Sequence, residues 1–162
     1  MGYLDKGEKI TMINLQPITQ ENFYECRELK RENPYYVGDS EDVLAEGYIY
    51  KDCATVFGIC NETDMIGLVM LANEPNEDGR CDFTNLFIAD DWQHKGYGKA
   101  ATKAIIDYFR DMGNVKYIQI MVSRSNDIAI TMYQNLGFRN YGICEWDEGF
   151  YILKFYIVQL TK

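Results

Sequence analysis

The segment Gln93-His94-Lys95-Gly96-Tyr97-Gly98-Lys99-Ala100 has the residue types of an anion cradle. It lies between an apolar run, Phe83 to Ala89, and an amphipathic run, Tyr97 to Met112. Strand, basic glycine turn and helix therefore follow one another. That order presents free backbone N–H groups and a positive helix end to one point, which suits a phosphate or pyrophosphate. Glycine lets the main chain approach the anion and adopt φ > 0. The spacing is neither G-x-G-x-x-G nor G-x-x-x-x-G-K-[ST], so neither a dinucleotide fingerprint nor an ATP loop is indicated. Read alone, the segment also fits a plain strand-to-helix turn with solvating charge.

The elements around the turn must position it. Ile13 to Ile18 reads as a short strand, and Thr19 as the N-cap of a helix carrying Phe23, Cys26 and Leu29. Ser40 opens a second short helix through Val43 and Leu44 to Gly47. Thr55–Cys60 and Met65–Leu71 flank Asn61-Glu62-Thr63-Asp64, a hairpin signal, and Arg80 to Ala89 adds a third strand of a meander. Tyr97, Ala101, Ala104, Ile105, Tyr108 and Met112 then share one helical face. Tyr117 to Val122 is near-continuously apolar and reads as a central strand, joined to the strand before the turn by a right-handed parallel crossover. Asn126 caps a helix with Ile128, Met132, Tyr133 and Leu136 inward, and Gly137 ends it. Phe138–Ile143 and Phe150–Val158 form a last antiparallel pair. The expected fold is α+β: a mixed, mainly antiparallel sheet of about seven strands with helices on both faces.

Composition narrows the function. The chain has 162 residues, 47% of them hydrophobic, which suits one globular domain. Residues 1–11 read as a loose extension, with Met12 an alternative start, and 12–162 as the domain. A net charge of −9 disfavours nucleic acid as a partner and mildly favours cationic ligands. Five cysteines without a CxxC pair read as reduced thiols of a cytoplasmic protein. A single histidine, His94, makes a zinc site improbable. No apolar stretch approaches the ~20 residues that would span a membrane.

Three of these stretches together resemble the GNAT superfamily of N-acetyltransferases: Leu86-Phe87-Ile88, the turn from Gln93 to Gly98, and Asn126 with Tyr133-Gln134-Asn135-Leu136-Gly137-Phe138. The superfamily's turn pattern, Q/R-x-x-G-x-G/A, is matched at Gln93, Gly96 and Gly98. Its second hallmark, an Asn opening a helix with a Tyr two turns on and a Leu-Gly-Phe exit, is matched at Asn126, Tyr133 and Leu136-Gly137-Phe138. The resemblance covers about residues 12–158.

The resemblance implies acetyl-coenzyme A as co-substrate, no metal, and fourth and fifth strands that splay apart. Its pyrophosphate would rest on the turn Gln93, His94, Lys95, Gly96, Tyr97, Gly98 and Lys99. Its pantetheine would pair with main-chain groups of Leu86, Phe87 and Ile88, one N–H, that of Ile88, polarising the acetyl carbonyl. Asn126 would hold the pantetheine arm, and Tyr133 would protonate the departing thiolate. By position in its helix alone, Tyr133 reads as a packing residue, and it is the match to both motifs that favours the catalytic reading. An amine attacks directly, so a base is needed. The family's acid on the fourth strand falls at Thr84, a departure that leaves Asp82, two residues earlier on the same face, or water.

Tyr35-Tyr36-Val37-Gly38-Asp39-Ser40 and Ala45-Glu46-Gly47-Tyr48 are similar to a segment of bacterial spermine and spermidine acetyltransferases. That similarity implies a polyamine acceptor, met by Tyr35, Tyr36, Glu28, Glu41 and Glu46. These residues also fit a solvated helix face. An amino acid, an aminoglycoside or a protein amine remains open as acceptor, as does an acetyl-coenzyme A sensor without turnover. A homodimer through Phe150–Val158 is implied by the same family.

Overall fold

The hairpin predicted between Thr55 and Leu71 forms as β2 (Ala54–Cys60) and β3 (Met65–Ala72) in the computed structural model, which describes residues 12–158. Asn61 closes the turn: its side-chain oxygen accepts from the N–H groups of Thr63 and Asp64. Nearly every residue of β3 is buried, so helices must cover both of its faces. Alternate residues divide between two cores. Phe57, Ile59, Val69 and Leu71 join Ile105, Phe109, Ile118, Phe138 and Leu153. Val56, Leu68 and Met70 join Cys26, Val43 and Phe87. The first core is roofed by α3 (Tyr97–Asp111) and α4 (Asp127–Asn135), the second by α1 (Phe23–Arg27) and α2 (Ser40–Ile49).

The remaining strands are β1 (Asn14–Pro17), β4 (Arg80–Ile88), β5 (Tyr117–Ser123), β6 (Arg139–Cys144) and β7 (Asp147–Tyr156). They make one seven-stranded sheet in the order β1-β2-β3-β4-β5-β7-β6. The parallel β4–β5 crossover is as expected. The order of the last pair was not visible beforehand: β7 enters beside β5, and the largely exposed β6 takes the edge.

Local capping explains most boundary differences. α1 begins three residues late for a Thr19 cap, because Thr19 is spent on a turn. Its Oγ1 accepts from the Glu21 N–H, and its own N–H donates to Asn22 Oδ1. α2 is capped by Asp39, whose Oδ1 accepts from the Asp42 N–H. In α3 the inward stripe is Ala101, Thr102, Ile105, Ile106 and Phe109, rotated slightly from the predicted face. In α4, Ile128 is 81% exposed instead of inward, and Ala129 and Ile130 pack on the core in its place. The extension expected over residues 1–11 and the last residues of the expected domain, 159–162, lie outside the described residues.

Candidate active site

β4 and β5 run together for only three rungs, Arg80↔Tyr117, Cys81↔Ile118 and Asp82↔Gln119. Beyond Asp82 no ladder joins them, and a gap opens toward their C-terminal ends. Asn85 supplies the bend. Its φ is 57°, a left-handed conformation that Asn tolerates better than most residues. The β3–β4 register passes from Met70↔Thr84 to Leu68↔Phe87, so three residues of β4 answer two of β3. This is a β-bulge. It reverses which face the following residues occupy: Phe83 lies in the α3/α4 core, while Phe87 lies in the α1/α2 core. Two neighbours hold the bulge. Asn85 Nδ2 donates to Glu46 Oε2 at 2.8 Å. Across the ladder, Gly67 has no side chain because a Cβ there would stand 2.1 Å from the Phe87 carbonyl oxygen.

The strand end leads into the basic turn. A 3-10 turn over Asp90–Trp92 precedes Gln93. The Gln93 side chain braces this turn, donating from Nε2 to the Ile88 carbonyl at 2.9 Å. His94 and Gly96 both have positive φ, 60° and 85°. Lys95 donates to the Asp91 carbonyl and lies over the Trp92 ring, against whose edge Tyr97 packs. α3 then starts at Tyr97 with no side-chain cap. The space around Gly96 is open for 4 Å from where a Cβ would stand. The N–H groups of Tyr97, Gly98 and Lys99 thus meet the positive end of a 15-residue helix beside an open approach. A diphosphate fits this arrangement.

From the α3/α4 side comes Tyr133. It is buried in the core that contains Phe83 and Ile88 of β4 and Ile120 and Val122 of β5, the strands that part. Phe83 and Phe138 lie 6.1 and 5.4 Å from its ring. Tyr133 is therefore a packing residue and a placed phenol at once. Burial pushes its pKa well above the ordinary value, so the hydroxyl is protonated at neutral pH. That hydroxyl has no hydrogen-bond partner among the described residues. Asn126 caps α4 through Oδ1, which accepts from the Ala129 N–H.

On the α2 side a cavity of about 410 Å³ follows β4 from Arg80 to Thr84. Asp82, Glu46 and Glu74 line it, with Tyr50, Met70, Ala54 and Ala72 as apolar walls. Its one cation, Arg80, stands 3.3 Å from Asp82 Oδ1, but neither atom forms a hydrogen bond, so the contact is a poorly aligned ion pair. Desolvation raises the Asp82 pKa and Arg80 partly opposes the rise. Asp82 and Tyr133 thus approach the same divergence from opposite faces of the sheet. Burial also pushes the Cys26 and Cys81 thiols up to about 11, which keeps them protonated and poor nucleophiles.

A profile of the Acetyltransferase (GNAT) family matches residues 18–138. The chain belongs to the GNAT acetyltransferase family. It is 29% identical over 135 residues to a spermine/spermidine N(1)-acetyltransferase of Bacillus subtilis, covering 78% of this chain and 88% of that protein. Its fold matches spermidine N-acetyltransferase of Vibrio cholerae in complex with CoA and spermine, with a TM-score of 0.66, 21% identity, and 91% and 96% of the two chains covered. It also matches an aminoglycoside acetyltransferase in complex with coenzyme A, with a TM-score of 0.73, 20% identity, and 89% and 94% covered.

The sequence-predicted residues of this acetyltransferase fall into three places. Asp82 and Leu86 to Ile88 lie on β4, the first at the cavity and the others at the strand's end; Gln93 to Gly96 form the turn and Tyr97 to Lys99 the first turn of α3; Asn126 caps α4 and Tyr133 stands within it. Of the acceptor candidates, Glu46 lines the cavity, whereas Glu28 and Glu41 are exposed outside its lining. Tyr35 and Tyr36 pack edge to face at 4.8 Å on the exposed loop between α1 and α2. Asn85, Gly67 and Arg80 escaped notice. An Asn inside an apolar strand was the available signal for a bulge. Gly67 and Arg80 carried no local signal, because their roles arise across strands. Among the described residues no group of three His, Cys, Asp or Glu side chains could hold a metal, and no helix is long and apolar enough to cross a membrane.

Proposed function

We propose that this enzyme transfers the acetyl group of acetyl-coenzyme A to a primary amine of a polyamine such as spermidine or spermine. The observation that carries the acceptor class is the cavity beside β4, where Glu46, Glu74 and Asp82 face apolar walls with one guanidinium among them. An acidic pocket with methylene-friendly sides suits a flexible cation. The curated relative named above supports the same class.

Acetyl-coenzyme A supplies an activated thioester, whose C–S bond breaks as the acceptor nitrogen bonds to the carbonyl carbon. The first turn of α3 binds the diphosphate through its N–H groups. The end of β4 orients the pantetheine arm, and the Ile88 N–H stabilises charge on the carbonyl oxygen. Asn126 steadies the arm from α4. Asp82, directly or through water, accepts the proton of the amine. Tyr133 gives its proton to the sulfur. A panel of amines incubated with acetyl-coenzyme A, read by a one-acetyl mass gain and by thiol release, tests this reading. Acetylation of amino acids or aminoglycosides but no polyamine would redirect it. Coenzyme binding without thiol release on any amine would favour a sensor, which the absence of an acid at Thr84 makes worth separating.

We further infer one domain over residues 12–162, acting in the cytoplasm as a homodimer. Five free thiols support a reducing compartment. Exposed Tyr141, Ile143, Trp146 and Tyr156 on β6, β7 and their connection support association. Sedimentation of the purified chain at a monomer's mass would remove the dimer.

A further inference from the structure

The bulge residue and the acceptor cavity share a bond. Asn85 turns β4 away from β5 with its backbone, and with its side chain it grips Glu46 on α2. One carboxylate oxygen of Glu46 is thereby engaged, and the side chain is held at the cavity wall, half-buried. Asp82, on the reacting strand, has its own counter-charge in Arg80. Glu46 has no cation within ion-pair distance among the described residues. A carboxylate fixed by a neutral amide, facing an acidic cavity and lacking a cationic partner, is a prepared receptor for an ammonium group.

Resting on the acetyl-transfer reading above, we propose that Glu46 anchors the non-reacting ammonium of the acceptor and that Asn85 is its positioning residue. The reacting amine would stand nearer Asp82 and the gap, and the second cation at Glu46, with methylenes along Met70 and Tyr50. The consequence is a preference for acceptors with at least two amines. It also links the two functions of Asn85. The residue that opens the coenzyme gap also sets the acceptor's anchor, so the cavity and gap keep a fixed spacing.

The test compares spermidine with hexylamine, a monoamine lacking the distal cation, at saturating acetyl-coenzyme A. Glu46→Gln keeps an oxygen for the Asn85 amide but loses the charge. It should raise KM for spermidine about tenfold with kcat little changed, the size expected for a charge-assisted contact, and leave the KM for hexylamine within about twofold. Asn85→Gly keeps the left-handed backbone and loses the amide. It should raise KM for spermidine about threefold while the KM for hexylamine changes less, because only the anchored cation depends on the lost amide. Equal effects of Glu46→Gln on both amines, no effect on either, or equal KM values for the two amines in the parent enzyme would each overturn the anchor while leaving acetyl transfer intact. If the parent acetylates neither amine, the transfer reading fails separately. Spermidine binding to the coenzyme A-loaded protein, measured by calorimetry in parent and Glu46→Gln, then decides the anchor. Weaker binding in the variant supports it, and equal or undetectable binding in both overturns it.

Discussion

Tyr36 donates its hydroxyl hydrogen to the main-chain oxygen of Ser125 at 2.8 Å, tying the loop between α1 and α2 to the exit of β5. The same loop is fastened to the exit of β4. The Asp90 N–H donates to the Lys30 carbonyl, the Glu32 N–H donates to Asp90 Oδ2, and Arg31 lies over the Phe87 ring at 4.5 Å. Residues 30–37 therefore strap one lip of the gap to the other. Two strands that have lost their ladder are held at a set distance by a segment from another part of the chain.

Replacing Tyr36 with Phe removes only the Ser125 fastening. Global stability should fall by about 1 kcal/mol or less, as for one exposed hydrogen bond. Hydrogen exchange in residues 30–37 should quicken, while exchange in β2 and β3 stays slow. Unchanged exchange in the loop would show that Arg31 and Asp90 suffice to hold it.

Tyr133→Phe separates packing from chemistry. The ring contacts with Phe83 and Phe138 survive, and no hydrogen bond among the described residues is lost. Stability and acetyl-coenzyme A affinity should stay near those of the parent. Turnover should drop on the order of 100-fold, within the usual range for a general acid. Parent-like turnover would leave Tyr133 as core alone.

The pH dependence has a defined sign. Desolvation raises the Asp82 pKa above its ordinary 3.8, and Arg80 pulls it back. If Asp82 is the base it must be ionised, so kcat/KM should fall at acid pH with a midpoint above the ordinary carboxylate value. Arg80→Gln removes the opposing charge, and the midpoint should move to higher pH. Folding responds in the opposite sense. A carboxyl whose pKa is raised in the folded state contributes most below its unfolded value and loses that contribution as pH rises through the folded value. Asp82→Asn should flatten this loss in denaturant titrations above about pH 4. An Arg80→Gln profile that does not move would shift the proton acceptor away from Asp82, toward water.

Local chemistry was legible in the sequence where it was complete within a few residues. The Asn126 cap, the left-handed Gly96 and the hairpin at Asn61 each satisfy their own backbone, so composition alone discloses them. The parallel crossover was legible because an amphipathic helix must separate two such strands. What stayed hidden depends on partners far along the chain. Glu46 is identified as a held carboxylate only when Asn85 is brought to it, and β7 finds its place beside β5 only after the whole sheet assembles. Thr19 misled because a hydroxyl before a helix can cap it or close a turn, and here Asn22 completes the turn first.

Gly67 and Gly96 invite the same substitution with different consequences. At Gly67 an alanine methyl would meet the Phe87 carbonyl oxygen at 2.1 Å, and that atom is backbone, so β3 and β4 must separate at the bulge. Gly67→Ala should destabilise the fold by about 3 kcal/mol, at the upper end of overpacking costs, and weaken coenzyme binding by displacing Leu86 to Ile88. At Gly96 the methyl meets nothing within 4 Å, and only the φ of +85° opposes it. Gly96→Ala should cost about 1 kcal/mol, the penalty of a left-handed L-residue. Its larger effect should be on acetyl-coenzyme A affinity, because a methyl at the α3 entrance narrows the approach of a diphosphate to the N–H groups behind it. Urea denaturation and calorimetry on the two variants measure this crossover. Stability should rank Gly67→Ala the worse, while the ratio of lost affinity to lost stability should be greater for Gly96→Ala. A Gly96→Ala protein with full affinity would move the diphosphate away from this turn.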